Sequence, residues 1–304
     1  MRTMRFLCTC LLFSTISFVS SITLECVYQV TARKLYSCVN TNIVITENEV
    51  QIEDLSGVHE PDRTSDDVRE IYFLSSGMRN LPQNVFEVFA YLSRYLVHGV
   101  DIQGKHLTKD ALIQGDFHDA INLNAIVMTG VNLHNLRANV FEGADNLGLL
   151  SLEACGITSI DKDAFNHISK LRTLQLSYNL VKKLPNSVFH SLTNLNFLWF
   201  VGNNMETLQK ELFEGLYSLK KFSFQGNLLK TIDPDVLEGL PNLTNVHLWR
   251  NLCVDESFGK GQLPFSDFKN YVINCTGQLM LENDFHRLQI ENNFLKQDIQ
   301  DPNP

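Results

Sequence analysis

A chain of 304 residues, 44% hydrophobic and 19% charged, has enough apolar material to bury a sizeable core, which excludes an intrinsically disordered chain. Its formal charge of −9 at pH 7 gives it no electrostatic reason to seek nucleic acid or an anionic membrane.

The first 21 residues, MRTMRFLCTCLLFSTISFVSS, have the layout of a secretory leader. Arg2 and Arg5 supply the positive end, an apolar run extends from Phe6 to Val19, and Val19 and Ser21 fit a small-residue cleavage site. The run is too short for a spanning helix, which needs about 20 apolar residues. Losing the two arginines takes the charge from −9 to −11. Nine acids against Arg63 and Arg69 crowd the stretch from Glu47 to Glu70 and read as a solvated face. With no second apolar segment and no lipid-anchor tail in IQDPNP, the expectation is a secreted, extracellular protein without stable membrane insertion.

Of the seven cysteines, Cys8 and Cys10 fall in the leader. Cys26 with Cys38, and Cys253 with Cys275, form one close pair at each end of the mature chain, as two disulfides would. Cys155 is left over.

Between these pairs the chain repeats. Units start at Val68, Leu92, Leu123, Leu147, Leu171, Leu195, Leu219 and Leu243, in steps of 24 except for one of 31 between 92 and 123. Each follows L-x-x-L-x-L-x-x-N-x-L-x-x-L. An aromatic returns eighteen residues in, at Phe86, Phe141, Phe165, Phe189 and Phe213, with Leu237 in the last full unit. This is the leucine-rich-repeat signature. The x-L-x-L-x segment predicts a short strand with leucines inward and the alternate residues outward. One unit cannot bury its apolar face alone, so neighbours must stack over a shared core. Asn179, Asn203, Asn227 and Asn251 stand where the chain turns off the strand, and their amides can satisfy backbone groups there. Ser76, Val100, Val131 and Cys155 replace Asn in earlier units. Cys155 therefore reads as a buried thiol in a turn slot, with an interchain bond as the alternative. The extra seven residues, near Gly104 to Asp116, should bulge outward.

The predicted fold is α/β: a leucine-rich-repeat solenoid, or horseshoe, with a parallel sheet on its concave face, disulfide-clipped caps and a C-terminal helix. Its expected parts are a leader (1–21), an N-terminal cap (22–67), eight repeats (68–250), a C-terminal cap (251–277) and a helical tail (278–304). In the tail, Leu281, Leu288 and Leu295 recur every seven residues, with Phe285, Asn292 and Ile299 between them. That pattern fits a short coiled coil, which would make homo- or hetero-oligomers, or a single helix lying on the cap.

No GxSxG, HExxH, phosphate-binding glycine loop or CxxC occurs, and His106, His118, His167 and His190 are scattered. The expectation is no enzyme, no cofactor and no metal. A binding face is better supported. The central outward position of successive strands carries Tyr72, Leu96, Val127, Ser151, Gln175, Trp199, Ser223 and His247. Phe197, Trp199 and Val201 should line one wall and His247, Trp249 and Arg250 another, roughly 10 Å away. Ser223, Gln225, Gly202 and Gly226 would form a low floor, with Tyr178 alongside. Exposed Trp, Tyr and Arg dominate interface energies, so a protein or glycan ligand is expected on this face. The bland alternative is that the aromatics merely cover one another. Asn242-Leu-Thr and Asn274-Cys-Thr are candidate N-glycosylation sites, and a glycan on Asn242 would project sideways from the solenoid edge.

The C-x-Y start at Cys26–Tyr28, LYSC up to Cys38, DLSGVH at 54–59, DDV at 66–68 and the two-cysteine C-terminal cap resemble secreted insect leucine-rich-repeat proteins. In plan the chain is similar to mosquito immune proteins in which repeats precede a coiled coil. The resemblance implies a recognition or carrier role in body fluid, plausible for innate immunity. Unlike that plan, no cysteine beyond Cys275 can link two chains. A matrix or adhesion protein assembled through its tail is the alternative.

Overall fold

The computed structural model describes residues 20–41, 44–45, 50–74, 77–78, 82, 84–99, 112, 115–273 and 275. Most of the leader, Ser75, Ser76, Val100, most of the predicted bulge, Asn274 and the tail 278–304 lie outside the described residues.

Eleven strands form one sheet, in the order Ser257–Gly259, Asn245–His247, Lys221–Ser223, Phe197–Trp199, Thr173–Gln175, Leu149–Glu153, Ala125–Thr129, Arg94–His98, Glu70–Leu74, Tyr36–Thr41 and Val27–Val30. All eight L-x-x-L-x-L segments are strands, each parallel to the next. Register advances 24 residues per coil through Leu149, Thr173, Phe197, Lys221 and Asn245. It advances 31 from Arg94 to Ala125. The seven extra residues therefore enter without disturbing the pairing on either side.

The caps do more than cover the ends. Tyr36–Thr41, inside the predicted N-terminal cap, pairs in parallel with Glu70–Leu74 and so opens the parallel sheet ahead of the first repeat. Val27–Val30 then turns back antiparallel on it, and Ser257–Gly259 does the same to Asn245–His247 at the far end. Each edge thus ends in a short antiparallel strand from a cap, which blunts the row of unpaired backbone groups a parallel edge would offer. The two disulfides form as expected, Cys26–Cys38 and Cys253–Cys275. Each closes a short loop, an effect of about 3 kcal/mol through loss of unfolded-state freedom. Ser20 and Ser21, assigned to the leader by the cleavage pattern, already belong to a strand, Ser20–Glu25, parallel to Val50–Ser56.

Turns, small two-residue bridges and short helical pieces make up the outer side of the coils. The described C-terminal helix is Phe268–Val272, within the cap. Beneath the sheet runs a column of rings. Phe86, Phe117, Phe141, Phe165 and Phe189 stack in succession at 6.2, 5.7, 6.2 and 5.9 Å between centroids. Phe117 holds the slot in the long unit, displaced from offset eighteen by the seven-residue insertion. Phe213 leaves the column and packs on Phe222 and Phe224 at 4.8 and 6.1 Å.

The asparagines work as anticipated. Asn179 accepts the backbone N–H groups of Cys155 and Ile157 at 3.0 Å each and donates to the Leu152 and Leu176 carbonyls. Asn203, Asn227 and Asn251 likewise bridge successive coils, accepting the Val181, Met205 and Leu229 N–H respectively and donating to carbonyls of their own and the preceding coil. Cys155 fills the same slot by other means. Its thiol donates to the Met128 carbonyl, and its own backbone carbonyl takes the Leu133 N–H that an Asn side chain would otherwise accept. It is the free, buried cysteine among the described residues, and burial pushes its thiol up to about 12. Because the thiolate is the reactive species, iodoacetamide at pH 8 should leave Cys155 unmodified in folded protein and label it in guanidinium, as read by peptide mapping. Labelling of the native chain would contradict this placement. An interchain bond at Cys155 is incompatible with the folded state.

Candidate functional site: the strand face of the C-terminal repeats

Alternation along each strand sends Leu174, Leu198, Phe222 and Val246 into the core, while Thr173, Gln175, Phe197, Trp199, Lys221 and His247 keep part of their surface outside. Register brings the expected central row together in full: Tyr72, Leu96, Val127, Ser151, Gln175, Trp199, Ser223 and His247 are successive partners. Trp199 and His247 therefore stand two strand spacings apart, with Ser223 between them.

The relief differs from the expected cleft. Ser223 keeps only 1% of its surface, and Gly202 and Gly226 are buried, so the floor is closed. The reason is side-chain reach. A 10 Å gap is narrow beside an indole and an imidazole, and a serine cannot hold it open. Over Gly202 the cover is identifiable. A Cβ built there would come within 2.8 Å of Tyr178 Cδ1, so the Tyr178 ring occupies the space that a larger residue would take. The site is a shallow aromatic surface rather than a pocket.

Tyr178 and Arg250 owe their positions to the turn that follows each strand. This turn takes a left-handed residue in coil after coil: Gly130, Ala154, Tyr178, Gly202, Gly226 and Arg250 have φ of 70, 53, 61, 65, 64 and 58°. Glycine adopts that conformation freely, whereas other residues pay about 1 kcal/mol. Tyr178 and Arg250 are thus held at strained positions on either side of the tryptophans. The Arg250 guanidinium lies 4.8 Å from the Trp249 ring centroid, and its backbone N–H donates to Asp255 Oδ1 at 2.6 Å. Trp249 nonetheless remains 36% exposed, so mutual cover accounts for one part of its surface only.

Polar groups complete the face. His247 Nδ1 sits 3.1 Å from Ser257 Oγ, and burial, with nearby Lys221, holds the imidazole below its usual range. Gln225 is half-buried beside Trp249, and its carbonyl accepts the Gly202 N–H at 2.9 Å. Val201 receives the Tyr178 N–H on its carbonyl at 2.7 Å. On the neighbouring coil, burial raises the Glu153 carboxyl, and burial with the Glu153 charge raises the Tyr178 phenol. Among the described residues no three His, Cys, Asp or Glu side chains converge as a metal site would require. No helix among them is long and apolar enough to cross a membrane.

Asn242 is exposed on the side of the coil and donates to the Tyr217 carbonyl at 2.8 Å. Sequence reading did not reveal that it belongs to a second, outer row. Asn122, Asn146 and Asn194 likewise donate to Ala90, Ile121 and Ser169. The recurrence at 122, 146, 194 and 242 was the available signal.

Comparison with known proteins agrees with this architecture. Residues 112–244 match, in six copies, the family model described as BspA type Leucine rich repeat region. No curated protein sequence matches the chain. Among solved structures, the chain resembles TLR13 in its complex with ssRNA13, at 21% identity and a TM-score of 0.55, over 66% of this chain and 28% of that one. It also resembles the glycosylated Drosophila Toll–Spatzle complex, at 20% identity and a TM-score of 0.50, over 72% of this chain and 30% of that one. The chain thus spans under a third of either structure, and at these identities the likeness concerns the fold alone. The chain is a leucine-rich-repeat solenoid whose coils resemble those of Toll-type proteins.

Proposed function

We propose that this is a secreted, non-enzymatic binding protein that takes a macromolecular ligand on the strand face around Tyr178, Phe197, Trp199, Val201, Gln225, His247, Trp249 and Arg250. The carrying observation is that partly exposed tryptophans on a rigid sheet are flanked by Tyr178 and Arg250 in left-handed turns, where three other coils use Gly130, Gly202 and Gly226 and one the small Ala154. Strain retained beside an exposed aromatic surface points to use of that surface. The leader-like start and the two disulfides support export. Both structural neighbours are named for complexes with macromolecules, one an RNA and one the protein Spatzle. Together with the resemblance to insect immune proteins, they favour a role in innate defence. A glycan on Asn242 is compatible with this face, because it would leave from the coil edge and its amide retains one hydrogen for the Tyr217 carbonyl.

The test is capture from extracellular fluid by immobilised full-length protein, with Trp199→Ala beside it. The variant should keep the wild-type circular dichroism and melting temperature yet hold its ligand more weakly by over about tenfold. Equal capture by the two proteins removes the strand face as the site.

A further inference from the structure

Charge is segregated around the last four coils in a way the net charge conceals. Between Leu171 and Asn251 the acids are Glu206, Glu211, Glu214, Asp233, Asp235 and Glu238. The first four stand in or directly beside the outer segments Thr207–Leu208, Lys210–Phe213 and Thr231–Ile232, and Asp235 and Glu238 in the turn that follows Ile232. The strands and their leading edges carry none. They carry Arg172, Lys220 and Lys221, with Arg250 in the turn after the last strand. None of these four cations takes part in an ion pair among the described residues; on the outer side Lys210, Lys230 and Lys269 are paired with acids, while Lys182 and Lys183 are not. Asp255 bonds the Arg250 backbone and is an acid at the margin of the face. The cations alternate with the aromatic surface: Lys221 is the register partner of Phe197, and Ser223, two residues on, is the partner of Trp199.

We infer that the ligand on this face is an acidic polypeptide segment, with an apolar side chain against Trp199 and carboxylates reaching Lys220, Lys221 and Arg250. This rests on the strand face being the binding site and adds the chemistry of its partner. Complementary charge at an interface selects partners and steers encounter. A polypeptide fits better than a nucleic acid or sulfated glycan. A chain of net charge −9 repels a dense polyanion at long range, and the four cations are too few and too interrupted by aromatics to follow a phosphate or sulfate at every step. Isolated carboxylates separated by apolar groups match the interleaving.

The experiment pans a random peptide-display library against the full chain, then measures the affinity of a synthetic selected peptide. Enriched sequences should carry Asp or Glu together with an aromatic or aliphatic residue. The Lys220→Glu/Lys221→Glu variant should bind about tenfold more weakly, and binding should weaken as salt rises from about 50 to about 500 mM. Lys182→Glu/Lys183→Glu, the same charge change at exposed outer positions, should bind as wild type does. Enrichment of neutral or basic peptides, failure to enrich any, or equal loss in both charge variants overturns the inference. So does tighter binding of a single-stranded RNA oligonucleotide or a heparin oligosaccharide than of the selected peptide. If Trp199→Ala abolishes peptide binding while Lys220→Glu/Lys221→Glu does not, the site stands and its proposed chemistry fails. If neither variant matters, both fail.

Discussion

Phe165→Ala should destabilise the protein by about 3–5 kcal/mol. The ring is fully buried, stacked between Phe141 and Phe189 at 6.2 and 5.9 Å, and its removal leaves a cavity that a rigid coil cannot collapse to fill. Stability in a stacked array is a sum of unit and nearest-neighbour terms. The loss therefore falls on the two interfaces of one coil, and guanidinium unfolding should broaden as the stack divides at that coil. Phe165→Leu is the informative control. Leu237 already occupies the same offset in the last full unit, so this change should cost less than about 1.5 kcal/mol. Similar midpoints for wild type and Phe165→Ala would show that the ring column contributes little.

Asn227→Ala should cost about 2–4 kcal/mol. Its amide accepts the Met205 N–H at 3.0 Å and donates to the Phe200 and Phe224 carbonyls at 2.8 and 2.9 Å. Buried polar groups without a partner lose about 1–3 kcal/mol each. Chemical denaturation measures the loss, and Asn227→Cys should recover part of it. At Cys155 the slot survives with a thiol because the backbone carbonyl accepts the Leu133 N–H instead. A cysteine variant no better than alanine would mean that the arrangement around Cys155 depends on its own coil and does not transfer. Neither variant alters the strand face directly, so any effect on ligand binding should follow the folded fraction.

Period and core were legible because both are local consequences of chain geometry. A strand alternates sides every residue, so leucines two apart must share a face, and a 24-residue recurrence aligns those faces from coil to coil. Asn179, Asn203, Asn227 and Asn251 could be read for the same reason: a turn leaves backbone groups to satisfy, and a short amide is suited to the task. Phe117 escaped a search at fixed offset, although adding the seven inserted residues to offset eighteen leads to it. The strand Tyr36–Thr41 escaped because it lies 33 residues from its register partner, Ser37 to Glu70, and lacks the L-x-x-L frame.

Sequence by itself determined the coil, its repeat length, the identity of the buried residues and the paired cysteines, since each depends on spacing along one chain. It also contained the left-handed turn, as glycine at 130, 202 and 226, but not that Ala154, Tyr178 and Arg250 share it. Only the tertiary structure decided how side chains from different coils meet. It closed the floor at Ser223, laid Tyr178 over Gly202, stacked Arg250 on Trp249 and placed the acids of the last coils on the outer side, with Arg172, Lys220, Lys221 and Arg250 on the strand side. Those outcomes depend on rotamers and distances between strands brought together by folding. A linear pattern specifies which way a residue points but not how far its neighbour reaches.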